Sequence, residues 1–289
     1  MSSSRICFLT LLTMTAFAGN SVLCRIALKN TSIDAASFTS IRLVSGAMVL
    51  WAIASFFRGN SSGKGNWISA FALFAYAAGF SFAYISLTAA TGALILFGAV
   101  QATMIGHGMW TGERFNKQQL FGFMLALGGL VGLLLPGLSA PPLAGSVLML
   151  IAGVGWGVYS LRGKGTGNPT RITAGNFLRA MLFAVLLSAL LHSSASLDIV
   201  GAWYAIASGA VASGLGYAIW YSVLPTLKTT IAATVQLSVP VITALGGIVV
   251  LGESLTVRFV WASQAILGGI ALVIMNKSHR NNPQPSRST

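Results

Sequence analysis

The sequence predicts an all-α membrane protein: ten transmembrane helices, arranged as two inverted five-helix repeats around a central cavity, with the N- and C-termini cytoplasmic. Three observations predict it. Apolar segments of about 20 residues recur along the chain, and at about 1.5 Å per residue each can cross a hydrocarbon core of about 30 Å. Hydrophobic residues make up 55% of the chain and charged residues 7%, with a mean hydropathy of +0.80, which no soluble domain of this size carries on its surface. The third observation is internal repetition.

Val100-Gln101 runs on to Thr111-Gly112-Glu113 as Val235-Gln236 runs on to Leu251-Gly252-Glu253. Gln101 and Gln236 are 135 positions apart, and Glu113 and Glu253 are 140 apart. Leu127-Gly128-Gly129 matches Leu267-Gly268-Gly269 at 140, while Arg25 matches Arg162 and Arg42 matches Arg179 at 137. Residues 1–137 are therefore read as the first five-helix repeat, 138–276 as the second and 277–289 as a polar cytoplasmic tail. Duplication in a polytopic chain is the mark of secondary transporters.

In order, the spans fall at about 6–27, 36–57, 67–88, 92–112, 117–136, 143–162, 172–192, 200–222, 229–251 and 257–276. Pro136, Pro141, Pro142, Pro169 and Pro225 punctuate short connections, and the loop Arg58–Asn66 is rich in glycine and serine. The 33 glycines suit membrane helices that approach one another closely. A cleavable leader is the rival reading of the first span, from Arg5 through an apolar run to Ala16 and Ala18. The run continues past Gly19, and removal would leave nine spans and unmatch Arg162.

Lysines and arginines set the orientation. With the N-terminus inside, the inner side collects 12, the outer side has Arg25, Lys29 and Arg258, and Arg42 and Arg179 remain within spans. Both ends are then inside. Five spans per repeat is an odd number, so the repeats must be inverted and a substrate site falls where they meet. The formal charge of +13 does not point to nucleic acid, because the basic residues are scattered between apolar spans.

The block from Gly214 to Pro225, GLGYAIWYSVLP, followed by Gln236, Pro240 and Gly252-Glu253, resembles the EamA-type branch of the drug/metabolite transporter superfamily. The likeness runs from about residue 8 to 276 and is closest to the bacterial aromatic amino-acid exporters. The first half departs from the pattern at His107-Gly108-Met109-Trp110 and has no counterpart of Pro240. The resemblance implies a ten-helix carrier in which helices 1, 3, 4, 6, 8 and 9 line the cavity.

Polar and aromatic side chains near mid-depth are the candidate substrate contacts, because hydrocarbon penalises polar groups without partners. Gln101 and its repeat partner Gln236 offer uncharged donors and an acceptor, or serve as interhelical glue. Tyr76, Phe80 and Tyr84 recur at i+4 on the third span and share a face. Trp156 and Tyr159 lie on the sixth span and Tyr217 on the eighth, with Asn20 in the outer part of the first. Trp220 and Tyr221 read as an interfacial belt.

Other residues are read as gating or structural. His107 is the histidine at depth, able to change charge between about pH 5 and 8. Glu113 and Glu253 stand at helix C-termini, where a carboxylate opposes the macrodipole. Each is expected to pair with an arginine of the opposite repeat, Glu113 with Arg179 and Glu253 with Arg42, unless those arginines snorkel to lipid. Pro240 interrupts the ninth span, and Lys228 at its mouth is an anchor or an anion attractor.

The four acidic residues, Asp34, Glu113, Asp198 and Glu253, all fall near span ends. A proton-driven carrier usually has a carboxylate at depth, so facilitative transport is expected. No zinc-protease, nucleophile-elbow or Walker pattern is found, and Cys7 and Cys24 have no metal-ligand spacing, so neither enzyme, metal nor cofactor is expected. The expected function is export of small amphipathic metabolites, aromatic and other neutral amino acids first, from a monomer in the bacterial inner membrane. The alternatives are a multidrug exporter of lipophilic cations and, from another class, a pore or receptor.

Overall fold

The computed structural model describes residues 2–56, 63–112, 116–135, 137, 140–163, 168–227 and 235–280, the side chains of 225 and 274–280 excepted. Among the described residues the regular structure is helical, with no strand. In order the helices are α1 (Ser3–Asn30), α2 (Ala35–Phe56), α3 (Trp67–Tyr84), α4 (Ala89–Trp110), α5 (Lys117–Leu134), α6 (Leu143–Arg162), α7 (Pro169–Leu190), α8 (Ile199–Val223), α9 (Ser238–Leu251) and α10 (Val257–Arg280). The first eight are long and apolar enough to cross a membrane; Ser238–Leu251 and the Val257–Val273 part of α10 are apolar but shorter.

Short polar residues start the helices. The side chains of Asn66, Thr88, Asn116, Asn168 and Asp198 each accept a backbone N–H of the first turn that follows, meeting donors that have no intrahelical acceptor. Thr88 thus begins α4 at Ala89, and α3 ends at Tyr84, both earlier than the hydrophobic pattern suggests. At the other end of α9, Gly252 takes the left-handed conformation at φ +62°, which turns the chain sharply into Glu253.

Two helices depart from the expected regularity. Residues 235 and 236 are helical, Leu237 is a turn, and α9 proper begins at Ser238. Pro240 has no N–H to give the Gln236 carbonyl, which accounts for the break. Pro240 therefore sits in the first turn of α9, just after this break in the segment that the sequence reads as one span. In α8, Ala207–Leu215 is π-helical, a run of small residues reading ASGAVASGL. There a Cβ on Gly209 would collide with the Arg42 carbonyl, so only glycine lets α8 close onto α2.

The helix pairings respect the division into halves. α3 packs on α6 as α8 packs on α1; α4 packs on α6 as α9 packs on α1; α2 packs on α8 as α7 packs on α3. The pairs α2–α7, α4–α9 and α5–α10 each join corresponding helices. For these pairs, exchanging helix n with helix n+5 returns a pair that is also packed.

Loops gather at two ends. At one, Asp34 accepts N–H bonds from Ala36, Ser37 and Ser196, which ties the α1–α2 turn to the loop before α8. Beside it Arg25 donates to the carbonyls of Tyr84 and Ile85 and through Nε to Glu253 Oε1 at 3.1 Å. Arg258 donates to the Leu135 carbonyl at the same end. At the other end Arg162 reaches Ser69 and Asn66, and Asn176 accepts the Asn66 N–H.

Glu253 resolves its own electrostatic problem. Its Oε2 accepts the Ala89 N–H at 2.8 Å, so the carboxylate sits at the positive end of the α4 dipole while Arg25 holds the other oxygen. Both side chains are nearly enclosed, 5% and 11% exposed. Glu253→Ala should therefore lower stability by about 3–5 kcal/mol, because it leaves Arg25 buried without its counter-charge. Glu253→Gln, which keeps an acceptor for Ala89, should cost less. Thermal unfolding of purified protein in detergent checks both.

Asp34 gives a pH-dependent contribution. Partial burial pushes its carboxyl up, but bonds from Ser37, Ser196 and Ala36 outweigh that and hold it below the ordinary value of 3.8. A depressed folded-state pKa stabilises above the unfolded value and fades as pH falls through the folded one. Asp34→Ala should thus lower the melting temperature at neutral pH, and its gap from the parent should close below about pH 3.8.

Candidate functional site

Mid-way along the bundle, a cavity is walled by Phe17, Asn20 and Ser21 of α1, Tyr76 and Phe80 of α3, and Leu96 and Phe97 of α4. The second half supplies Trp156 of α6 and Ala212, Ser213 and Tyr217 of α8. Both halves therefore build it. Five of the six helices implied by the family resemblance contribute, while α9 contributes none of its described residues. The room open to water centres is about 20 Å³, enough for one or two waters and too little for an amino acid.

Aromatic rings make the walls. Trp156 stands at the centre, 5.0 Å from Tyr76 between centroids and stacked on Tyr217 at 5.1 Å and on Tyr159 at 5.5 Å. Phe17 meets Tyr217 edge-on at 5.6 Å, and Tyr76 lies 5.4 Å from Phe80. Such pairs contribute about 0.5–1.5 kcal/mol each beyond burial. Tyr159 lies behind this layer and does not line the central cavity. It accepts a bond from Asn176 and lines a second small cavity with Arg162 and Tyr221, toward the opposite end.

A chain of polar groups runs along one wall. Ser208 in the π segment donates to Asn20 Oδ1 at 2.5 Å, Asn20 donates to the Tyr76 hydroxyl at 3.1 Å, and Arg42 Nη2 donates to the same hydroxyl at 2.9 Å. All four residues are buried. The chain joins α1, α2, α3 and α8, three of them through residues the sequence marked: Asn20, Tyr76 and, in another role, Arg42. Ser213, on the cavity wall, has a buried hydroxyl without a hydrogen-bond partner among the described residues.

Several sequence expectations are corrected. Arg42 does not pair with Glu253: it is 2% exposed beside Tyr76 and Phe80, and Arg25 holds the glutamate. Arg42 also does not snorkel, since its guanidinium lies over two rings of the interior. Arg179 donates to the carbonyls of Lys64 and Gly175 and stands over Trp67. Its expected partner Glu113 lies outside the described residues, as does Lys228. His107 is exposed on α4 and is not among the residues that line the cavity. Trp220 is buried edge-on against Phe17 and is not part of a belt. Gln101 is buried on α4 but outside the cavity wall, and Gln236 is half-buried just before the turn that precedes α9.

Phe17, Ser21, Phe97 and Ser213 were not marked by sequence reasoning. Phe17 and Phe97 were within its reach, being three residues before Asn20 and four before Gln101, on the same helix faces. Ser213 was not, because the π turns of α8 displace its face from the 3.6-residue pattern.

Comparison with known proteins agrees with this architecture. The EamA-like transporter family matches residues 4–135 and again 143–275. A Pseudomonas aeruginosa protein described as uncharacterized is 55% identical over 275 residues, 95% of this chain and 96% of that one. An Archaeoglobus fulgidus protein described as an uncharacterized transporter is 26% identical over 170 residues, 57% of this chain and 60% of its own. A crystal structure at 19% identity, covering 93% of this chain and 98% of that one, superposes with a TM-score of 0.65 and shares the fold. Two family repeats, apolar helices of membrane length and a cavity shared by the halves lead to one statement: this chain belongs to the EamA-like transporter family, as a multi-pass membrane transporter of small molecules.

Proposed function

We propose that the chain exports small amphipathic metabolites, aromatic and other neutral amino acids first among them, across the bacterial inner membrane by alternating access. In this reading ten helices form two inverted five-helix repeats with both termini cytoplasmic, and the cavity opens to one side at a time. The observation that carries the reading is the wall itself: Phe17, Tyr76, Phe80, Trp156 and Tyr217 surround Asn20, Ser21 and Ser213. Rings of that kind pack against an aromatic side chain, and the neutral polar groups serve an amino acid's backbone atoms.

Closure at both ends supports a carrier over a pore. Arg25 and Glu253 tie α1, α3, α4 and the segment after α9 on one side of the cavity. The Trp156–Tyr159 stack stands between the cavity and the second small one on the other. Facilitative transport fits the placement of Asp34, Asp198 and Glu253 in connecting segments, engaged with backbone N–H groups there. The rival reading, a multidrug exporter of lipophilic cations, draws on the same aromatic walls, but the guanidinium of Arg42 against Tyr76 opposes a second cation.

Counterflow by purified protein in liposomes tests the reading with a panel of aromatic, aliphatic and acidic amino acids and one quaternary ammonium. Aromatic amino acids should exchange fastest, with no imposed pH gradient. Trp156→Ala removes contacts to three rings and should weaken aromatic substrates by about 1–3 kcal/mol, roughly 5- to 160-fold in KM, with the protein still folded. Faster exchange of the quaternary ammonium, or unchanged kinetics in this variant, would contradict the proposed substrate class.

A further inference from the structure

Arg42 is buried, and among the described residues no carboxylate pairs with it. It lies seven residues into α2, its guanidinium carbon 5.0 Å from the Tyr76 ring centre and 4.8 Å from that of Phe80, two rings of the cavity wall. Nη2 donates to the Tyr76 hydroxyl, while Nη1 is buried and has no hydrogen-bond partner among the described residues. The described carboxylates are engaged elsewhere: Asp34 with Ala36, Ser37 and Ser196, Asp198 with Gly201, and Glu253 with Arg25 and Ala89. A hydroxyl and two ring faces hold a guanidinium in place but do not neutralise it.

We propose that Arg42 is the anion anchor of the central cavity and that the transported molecule brings the missing charge as a carboxylate. The planar guanidinium matches a carboxylate with two parallel N–H donors, which a lysine cannot reproduce. Tyr76 is the gatekeeper of this contact, since its hydroxyl occupies Nη2 and its ring lies between Arg42 and the cavity. Entry of a substrate must move these rings in any case, because the present space holds only water-sized guests. The second lone pair of Asn20 Oδ1, beside the one that Ser208 occupies, and the hydroxyls of Ser213 and Tyr217 on the wall would serve an ammonium group. The assignment rests on the cavity being the substrate site, and it narrows the class from amphipathic solutes to carboxylates and zwitterions.

Four related probes decide it on the full-length protein in detergent and in liposomes: L-phenylalanine, 3-phenylpropionate, phenethylamine and L-phenylalaninamide. The two carboxylates should bind and exchange at least about ten-fold better than the two probes without one, as expected where a buried polar group is left unmatched. Arg42→Gln should erase that preference, and Arg42→Lys should keep part of it. If Arg42→Gln does not fold, the probe series on the parent protein decides alone. Equal binding of phenethylamine and phenylalanine overturns the anchor while leaving the aromatic cavity in place. Binding of none of the four overturns the proposed substrate class and the anchor with it.

Discussion

A guanidinium buried in a helix bundle constrains everything around it. Hydrocarbon offers no partner to a polar group, and even the lenient insertion scales put an arginine at mid-bilayer at about 2.5–3.5 kcal/mol unfavourable. Arg42 meets that constraint by leaning on two rings and one hydroxyl, and the hydroxyl is held in turn by Asn20 and Ser208. Through four side chains, α1, α2, α3 and α8 are tied across the division between the halves. The π-helical stretch of α8 belongs to the same arrangement. Its small residues let α8 lie directly against α2 at Gly209 and turn Ser208 toward Asn20. Such local rewinding is rare and clusters at functional sites, which agrees with Ala212 and Ser213 standing in the cavity wall.

The two halves also divide electrostatic labour. At one end, Arg25 and Glu253 bind three separate elements with one ion pair and a helix N-terminus. At the other, Arg162, the residue 137 positions on from Arg25, is spent on Ser69 and Asn66 at the start of α3. Equivalent residues thus make different contacts in one conformation. Where the main helix pairs recur between the halves, such inequality is how the two ends differ.

Much of the fold was legible because lipid imposes simple rules. Apolar length marked the eight described helices long enough to cross a membrane, and repetition of Gln, Gly-Glu and Arg at nearly constant spacing marked the two family repeats. The aromatic faces of Tyr76, Phe80, Trp156 and Tyr217 were legible from i+4 spacing and depth. What escaped did so for identifiable reasons. Arg25 was counted only among the outer-side cations, because length and charge alone cannot show that it stands between α3 and Glu253. His107 was placed by depth along its helix, whereas rotation about the helix axis turns it outward. The π segment is invisible to any argument based on 3.6 residues per turn, and Trp220 was misplaced with it.

The central claim is that one chamber, enclosed by both halves, is exposed alternately to the two sides of the membrane. Ser213 lines that chamber with 1% of its surface exposed, so a cysteine there reports access with little change in size. In a chain with Cys7 and Cys24 replaced by serine, a membrane-impermeant thiol reagent should label Ser213→Cys from either side of oriented vesicles, and L-phenylalanine should slow both reactions. Labelling from one side alone, whatever solute is present, would contradict the account.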